Sequence, residues 1–365
     1  MMAIKMTLYL QPISSVRCIL FQMAKPIILE LPTYRTQLGA AYCGDSLRLL
    51  EQLEDSSVNL FMTSPPFALQ REKEYGNKNQ EDYLGWLTEF ARLVHRKLRD
   101  DGSFVLDLGG AYQKGLPVRS LYNFRVLLKF CDELGFHLAE DFYWFNPAKL
   151  PSPIEWVNKR KIRVKDAVNT IWWFSKTTDP KADVSKVLVE YSDRMKKLLE
   201  NPEKYYTAKK RPSGHDIGTA FGKDNGGAIP PNLLQIPNTE ANGQYLAYCK
   251  AAGIKGHPAR FPSKLPEFFI QMLTDPGDLV VDIFAGSNTT GFVAESSARR
   301  WLAFDLEQEY VANSVFRFLE KNLKPEVVQG FYQRILKGES LDLGLHVQQE
   351  QLFDLVERTA LAADD

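Results

Sequence analysis

The sequence predicts an α/β fold built on a mostly parallel sheet, and three observations lead there. Apolar runs of strand length alternate with amphipathic helical stretches between residues 40 and 134, the pattern of successive βαβ units. A later run, Leu279-Val280-Val281-Asp282-Ile283-Phe284, is apolar almost throughout, as a central strand covered on both faces should be. It passes through a glycine-bearing turn into a helix, and a short strand, Trp301-Leu302-Ala303-Phe304, follows. The expected architecture is Rossmann-like, with one antiparallel edge strand.

In chain order, Ala40 to Cys43 reads as a strand that stops at Gly44-Asp45-Ser46, with Ser46 capping a helix over Leu47 to Leu53. Val58 to Met62 is the next strand, followed by Thr63-Ser64-Pro65-Pro66-Phe67 and a polar stretch from Arg71 to Asn79. Tyr83, Leu87, Phe90, Val94 and Leu98 recur at the spacing of one buried helical face. Asp101-Gly102 should turn the chain into a strand over Ser103 to Leu106, ending at Asp107 and Gly109-Gly110. A helix from Phe124 to Leu134 leads to two strands, Ala139 to Trp144 and Ala167 to Phe174, expected to pair antiparallel at one edge. Trp172-Trp173 reads as strand core.

From about Ser175 to Lys255 periodicity fades and Gly, Pro, Asn and Lys rise, including Lys209, Lys210 and Arg211, which marks an inserted, loop-rich region. Ser263 should cap a helix carrying Leu265, Phe268, Phe269, Met272 and Leu273. The tail from Lys324 reads as an amphipathic helix. The expected division is an extension at 1–38, a first α/β half at 39–175, an insert at 176–256, a second half at 257–323 and a tail at 324–365.

Bulk composition narrows the function classes. Lys and Arg number 45 against 45 Asp and Glu, so any polyanionic partner must be met by local basic patches. Cys18, Cys43, Cys131 and Cys249 are scattered with no C-x-x-C pair, which argues against a zinc site or a disulfide framework. No apolar run approaches the roughly 20 residues of a spanning helix. Met1 to Met23 lacks the features of a signal peptide, so the expected location is the cytoplasm, with no membrane partner.

Two stretches carry chemistry. The prolines of Thr63-Ser64-Pro65-Pro66-Phe67 remove two donors and hold the preceding residues extended. A hydroxyl, outward carbonyls and a ring in fixed relation suit a flat, amine-bearing ring, although alone this pentapeptide is more simply a proline-rich turn. The second is Asp282-x-Phe284-x-Gly286-Ser287-Asn288-Thr289-Thr290-Gly291, with Asp305 about 20 residues beyond, where a carboxylate takes a ribose hydroxyl pair. The G-x-G-x-x-G of a dinucleotide site is absent, the one glycine is followed by Asn288, which can also take a left-handed conformation, and no basic residue offers a pyrophosphate cradle. A nucleoside without phosphates, such as S-adenosylmethionine, fits better than a dinucleotide. Asp45 and Asp107 also fall at strand ends, where an open α/β sheet binds ligands, although a turn or cap role is the commoner one for each.

Thr-Ser-Pro-Pro-Phe at 63–67 with Asp-Ile-Phe-Ala-Gly-Ser-Asn-Thr-Thr-Gly at 282–291 resembles the amino-group DNA methyltransferases whose catalytic motif precedes the cofactor motif. Ser-Pro-Pro-Phe-Ala-Leu-Gln, Lys-Glu-Tyr-Gly-Asn, Phe-Tyr-Trp-Phe-Asn-Pro, Asn-Gly-Gln-Tyr-Leu-Ala and His-Pro-Ala-Arg-Phe-Pro narrow the resemblance to cytosine-N4 enzymes of the PvuII modification type. It spans about Gly44 to Leu343, and Asn288 departs from the second glycine of the wider group.

The resemblance implies a permuted S-adenosylmethionine-dependent methyltransferase fold with a target-recognition region at 176–256. Phe284, Gly286 and Asp305, with Asp282, Ser287, Asn288 and Thr289 around them, would hold S-adenosylmethionine, with Asp45 near its adenine and Arg260 to Pro266 closing over it. Ser64 and the Pro65 carbonyl, in the loop that Pro66 stiffens, would accept from the target amine. Phe67 would stack on a flipped base opposite Tyr143 or Trp144, and Asp107 is a candidate second acceptor or proton sink. Double-stranded DNA would meet Lys159, Arg160, Lys161, Arg163 and Lys165, each by itself more simply a solvated surface charge.

Ser64, where adenine enzymes usually carry Asp or Asn, favours cytosine by resemblance. Carbon-5 chemistry needs a cysteine after proline, which is missing. Adenine-N6 methylation and a non-catalytic nucleoside-binding protein are the rivals. A cognate restriction endonuclease is an implied partner, and CAGCTG the implied site. His215 and His257 are weak candidates for base or phosphate contact; His95 and His346 read as surface residues.

Overall fold

The computed structural model describes residues 28–67, 80–205, 222–239 and 243–344. The expected Arg71 to Asn79 stretch, Lys209 to Arg211, His215 and His346 lie outside them. Among the described residues ten strands form one sheet: β1 (Tyr34–Arg35), β2 (Gly39–Cys43), β3 (Val58–Thr63), β4 (Leu98–Gly109), β5 (His137–Phe145), β6 (Val168–Ser175), β7 (Leu233–Gln235), β8 (Leu279–Asp282), β9 (Arg300–Asp305) and β10 (Leu341–Asp342). Their order is β10-β1-β2-β9-β8-β3-β4-β6-β5-β7.

The five strands β2, β9, β8, β3 and β4 are parallel neighbours. β6 runs antiparallel between β4 and β5, so the pairing expected of β5 and β6 is present. Outside them lies β7, parallel to β5, which the sequence reading missed. Three residues are too few to express a strand period. At the far edge β1 pairs antiparallel with β2, and β10 pairs with β1.

Alternation along the strands divides the core into two layers. Leu60, Met62 and Val105 face the layer shared with helix Lys264–Leu273, whereas Phe61, Phe104, Leu106 and Leu108 face the other. That second layer is closed by α1 (Ser46–Glu51), α2 (Gln80–Lys97) and α3 (Tyr122–Leu134). α3 stops at Gly135, whose φ of 78° supplies a left-handed end. Trp172 and Trp173 are both buried, as strand core should be.

Local details differ from expectation. Asp45, not Ser46, caps α1: its carboxylate accepts from the Leu47 N–H at 2.9 Å. Ser46 instead donates across the sheet to the Ile283 carbonyl at 2.8 Å. Ser263 makes no side-chain cap bond to its helix. β4 starts at Leu98, ahead of the expected turn, because a register irregularity against β3 absorbs Asp101-Gly102 within the strand. It also runs past Asp107 to Gly109, since β6 supplies pairing partners that far. No helix among the described residues is long and apolar enough to cross a membrane.

One close approach fixes the β2–β9 register. Gly39 is opposite Trp301, and a methyl group on Gly39 would sit 2.3 Å from the indole. That indole is buried, stacks on Phe318 at 5.0 Å and donates to Glu295 Oε2 at 2.6 Å, so it has no room to retreat. Gly39→Ala should therefore cost about 1–3 kcal/mol by overpacking. Gly85→Ala, on an open face of α2, should stabilise by about 0.5–1 kcal/mol. Opposite shifts of the thermal midpoint are expected, and equal shifts would contradict the packing described.

Candidate active site

A cavity of about 1260 Å³ opens at the carboxyl ends of β2, β3, β4, β8 and β9. This is where an open α/β sheet gathers its loops. Of the residues singled out in the sequence, Asp45, Ser64, Pro65, Pro66, Phe67, Asp107, Trp144, Phe284, Gly286, Ser287, Thr289 and Asp305 line it. The stretches after β3 and β8, more than two hundred residues apart in sequence, thus share one space.

At one end β3 hands over to Ser64-Pro65-Pro66-Phe67. The Ser64 hydroxyl donates to Asp107 Oδ2 at 3.0 Å, and the Asn169 amide donates to Asp107 Oδ1 at 3.1 Å. Asp107 is only 3% exposed. Burial pushes its carboxyl up to about 6, against the pull of the hydrogen bonds from Asn169 and Ser64. Ionised above that pH, it takes the hydroxyl hydrogen and leaves the Ser64 lone pairs to face the cavity. Phe67 rests on Gly109: a methyl there would be 2.4 Å from the ring. The Tyr122 hydroxyl holds the Gly109 carbonyl from beneath.

At the other end Gly286 has a φ of 50°, and its Cβ position lies 3.1 Å from the His257 ring. The positive φ favours glycine there, and any Cβ would press on the His257 ring. The Gly286 N–H donates to Asp305 Oδ2 at 2.7 Å and the Glu307 N–H to Oδ1 at 3.0 Å, while burial raises the Asp305 carboxyl. Phe284 is held by Phe90 and Trp86 of α2, with ring centroids 4.9 and 5.4 Å away. Ser287 and Thr289 are braced by the Arg317 guanidinium at 2.6–3.0 Å.

Asp282 and Asn288 do not line the cavity, which corrects their expected place; both hold the loop in shape. Asp282 Oδ1 accepts from the Thr63 hydroxyl at 2.6 Å and the Phe284 N–H at 3.1 Å, and Oδ2 from Thr290 at 2.6 Å. Burial raises this carboxyl, too, to about 6. Asn288 adopts φ 53°, and its side chain caps the next helix through the Gly291 N–H at 3.0 Å. The asparagine thus does the work of a glycine and a cap together.

Other expectations are also corrected. Tyr143 points to the face of β5 opposite Trp144, because successive strand residues alternate, so only the tryptophan reaches the cavity. Its indole donates to the Ile236 carbonyl at 2.8 Å. By contrast, Lys159, Arg160, Lys161 and Arg163 keep the exposed position expected of them, on a surface outside the cavity. Arg163 donates to the Pro117 carbonyl, and Arg160 lies over the Trp156 ring. His257 belongs to the wall beside Gly286, where burial lowers it to about 4 and keeps the ring neutral. His95 is half-buried edge-on against Phe136, not a plain surface residue.

The sequence reading also missed Asn169, Trp86, Glu307, Tyr310 and Lys149, which also line the cavity. Asn169 left one trace, a polar residue near the start of a mostly apolar strand.

A family model described as DNA methylase matches residues 58–316. The chain belongs to the DNA methylase family. Type II methyltransferase M.PvuII of Proteus hauseri is 65% identical over 338 residues, covering 93% of this chain and 98% of the relative. M.BglII of Bacillus subtilis is 26% identical, covering 91% and 89%. The solved PvuII DNA methyltransferase (cytosine-N4-specific) superposes with a TM-score of 0.72 at 58% identity, over 87% of this chain and 99% of that one.

The Ser64 and Asn169 donors both favour the charged form of Asp107, so removing either should raise its pKa. Carbon-13 NMR titration, assigned with Asp107→Asn, should place the carboxyl near 6 in the wild type and higher in Asn169→Ala. A downward shift would mean that Asn169 does not donate.

Proposed function

We propose that this methylase transfers a methyl group from S-adenosylmethionine to the exocyclic N4 amine of a cytosine flipped out of duplex DNA. The observation that carries this reading is the Ser64–Asp107 pair in the same cavity as the Gly286–Asp305 turn. The cytosine-N4 specificity named for the PvuII enzyme supports it, given 65% identity across nearly the whole chain.

The residues around the turn fit the cofactor. Asp45, Asp305 and Glu307 line the cavity there, a set that repels phosphates and suits a cation. When bound, S-adenosylmethionine supplies an electrophilic sulfonium methyl. Phe284 would offer its ring to the nucleoside, Asp305 would take the ribose hydroxyls, and Asp45 would lie toward the adenine end. Gly286 keeps the backbone low enough for close approach.

At the Ser64 end the task is to free a lone pair. The amine of cytosine is a poor nucleophile because its electrons are delocalised into the ring. Two acceptors, Ser64 Oγ and the Pro65 carbonyl, draw the amine hydrogens toward tetrahedral directions and localise that pair. Asp107 keeps the Ser64 hydrogen turned away and is the nearest carboxylate for the proton released. Positioning and electrostatics carry the step, with no covalent enzyme intermediate. Phe67 gives the flipped ring a platform, replacing stacking worth a few kcal/mol in the duplex.

Residues 39–175 are the catalytic half in this reading, 257–323 the cofactor half and 176–256 the target-recognition region, with 1–38 and 324–365 flanking them. Duplex DNA is the macromolecular partner, and the cytoplasm the site of action. A separately encoded endonuclease of the same specificity completes a restriction-modification system.

Radiolabelled S-adenosylmethionine and plasmid DNA, followed by nucleoside analysis, should yield N4-methylcytosine. N6-methyladenine would overturn the base assignment, and no label would overturn the activity. Ser64→Ala should lower the single-turnover rate about 100-fold while calorimetry finds cofactor affinity unchanged. Because Asp107 acts ionised, the rate should fall as pH drops through about 6 and stay level above it. A rate rising on acidification would assign Asp107 the opposite protonation state.

A further inference from the structure

The sheet edge at β5 and β6 carries a loop, residues 146–167, whose role the site leaves open. Lys149, Ser152 and Pro153 line the cavity, so Leu150 sits at its rim, yet Leu150 is 79% exposed. Ile154 (61%), Ile162 (41%) and Val164 (86%) are exposed on the same loop. Single exposed apolar residues are ordinary, but four within fifteen positions of one loop that lines a cavity are not.

The setting of this apolar group is cationic. Residues 147–166 carry six Lys or Arg against only Glu155 and Asp166, in a chain whose charges balance overall. The loop is also held from several sides. Lys165 Nζ donates to the Pro147 and Lys149 carbonyls at 3.1 and 3.3 Å, and the Asp166 N–H donates to the Ser152 carbonyl at 3.0 Å. Arg163 reaches the Pro117 carbonyl at 2.7 Å, and Arg119 clasps the Asp166 carboxylate at 2.7 and 3.0 Å. An apolar side chain is thus presented on a braced, positively charged rim beside the space for a flipped base.

We propose that Leu150 is a wedge that enters the DNA stack and fills the gap left by the target cytosine. The neighbouring lysines and arginines set the phosphate backbone around it, a contact that positions the duplex and does not read sequence. Apolar insertion between bases is a known device for opening a duplex, and an occupied gap keeps the extruded base from returning. This rests on the methyl-transfer reading above and adds to it how the base is kept out of the helix. Leu150 touches neither the amine nor the cofactor; it is a positioning residue.

The test compares two substrates. One is a duplex that the wild type methylates; the other is that duplex with an abasic site opposite the target cytosine, whose extrusion then needs no unpairing. Leu150→Ala should lose about tenfold or more in kcat/KM on the paired duplex and stay within about twofold of wild type on the orphaned one. Leu150→Met, which keeps bulk, should retain activity on both. Cofactor affinity and thermal midpoint verify that the variants are folded. Equal losses on the two substrates, or no loss on the paired duplex, would overturn the wedge. If no duplex is found that the wild type methylates, the methyl-transfer reading falls instead.

Discussion

The site depends on one buried carboxylate. Asp282 ends the central strand β8 and accepts from Thr63 on β3, from Thr290 at the start of the following helix, and from the Phe284 N–H. An uncompensated carboxylate in that position would be costly, and three donors answer the cost. The result is a rigid joint between the strand that leads into Ser64 and the loop that carries Gly286. The joint fixes the separation between the two ends of the cavity, and it does so from a residue outside the lining.

Above that joint the two ends of the cavity differ in character. The Gly286 end is built from backbone: a left-handed glycine, a carboxylate held by two N–H groups, and a ring lodged against α2. The Ser64 end is built from side chains with a definite hydrogen-bond direction. Asp107 decides that direction, and Asn169 holds Asp107 from the antiparallel strand β6. The reversed strand therefore has a chemical role, because its amino end arrives where the parallel strands have their carboxyl ends.

Much of this was legible in the sequence because it rests on local signals. Apolar runs announced the central strands, Pro65-Pro66 announced a stiff loop, and Gly286 announced the tight turn after β8. What escaped depended on pairing across long stretches of chain. β7 exists only because β5 offers an edge, β4 runs to Gly109 only because β6 pairs that far, and His257 was read toward DNA because nothing local reports its packing on Gly286. Asp282 and Asn288 were recognised as part of the motif but assigned to its ligand face. Which motif residues face the ligand and which hold the backbone is a matter of register, invisible until the neighbouring strands are in place.

The strand order has a consequence for how the molecule forms. β8 and β9 come late in the chain, yet they lie between β2 and β3, which come early. Until the last third of the polypeptide is available, two strands rich in apolar residues each have an open edge facing the other across a gap. Folding must therefore close through contacts of very long sequence separation, a slow route that leaves template edges exposed meanwhile. A chain interrupted in the insert would lack the middle of its sheet, not merely its end. Structural completion and the capacity to bind a methyl donor would arrive together, in a single late event.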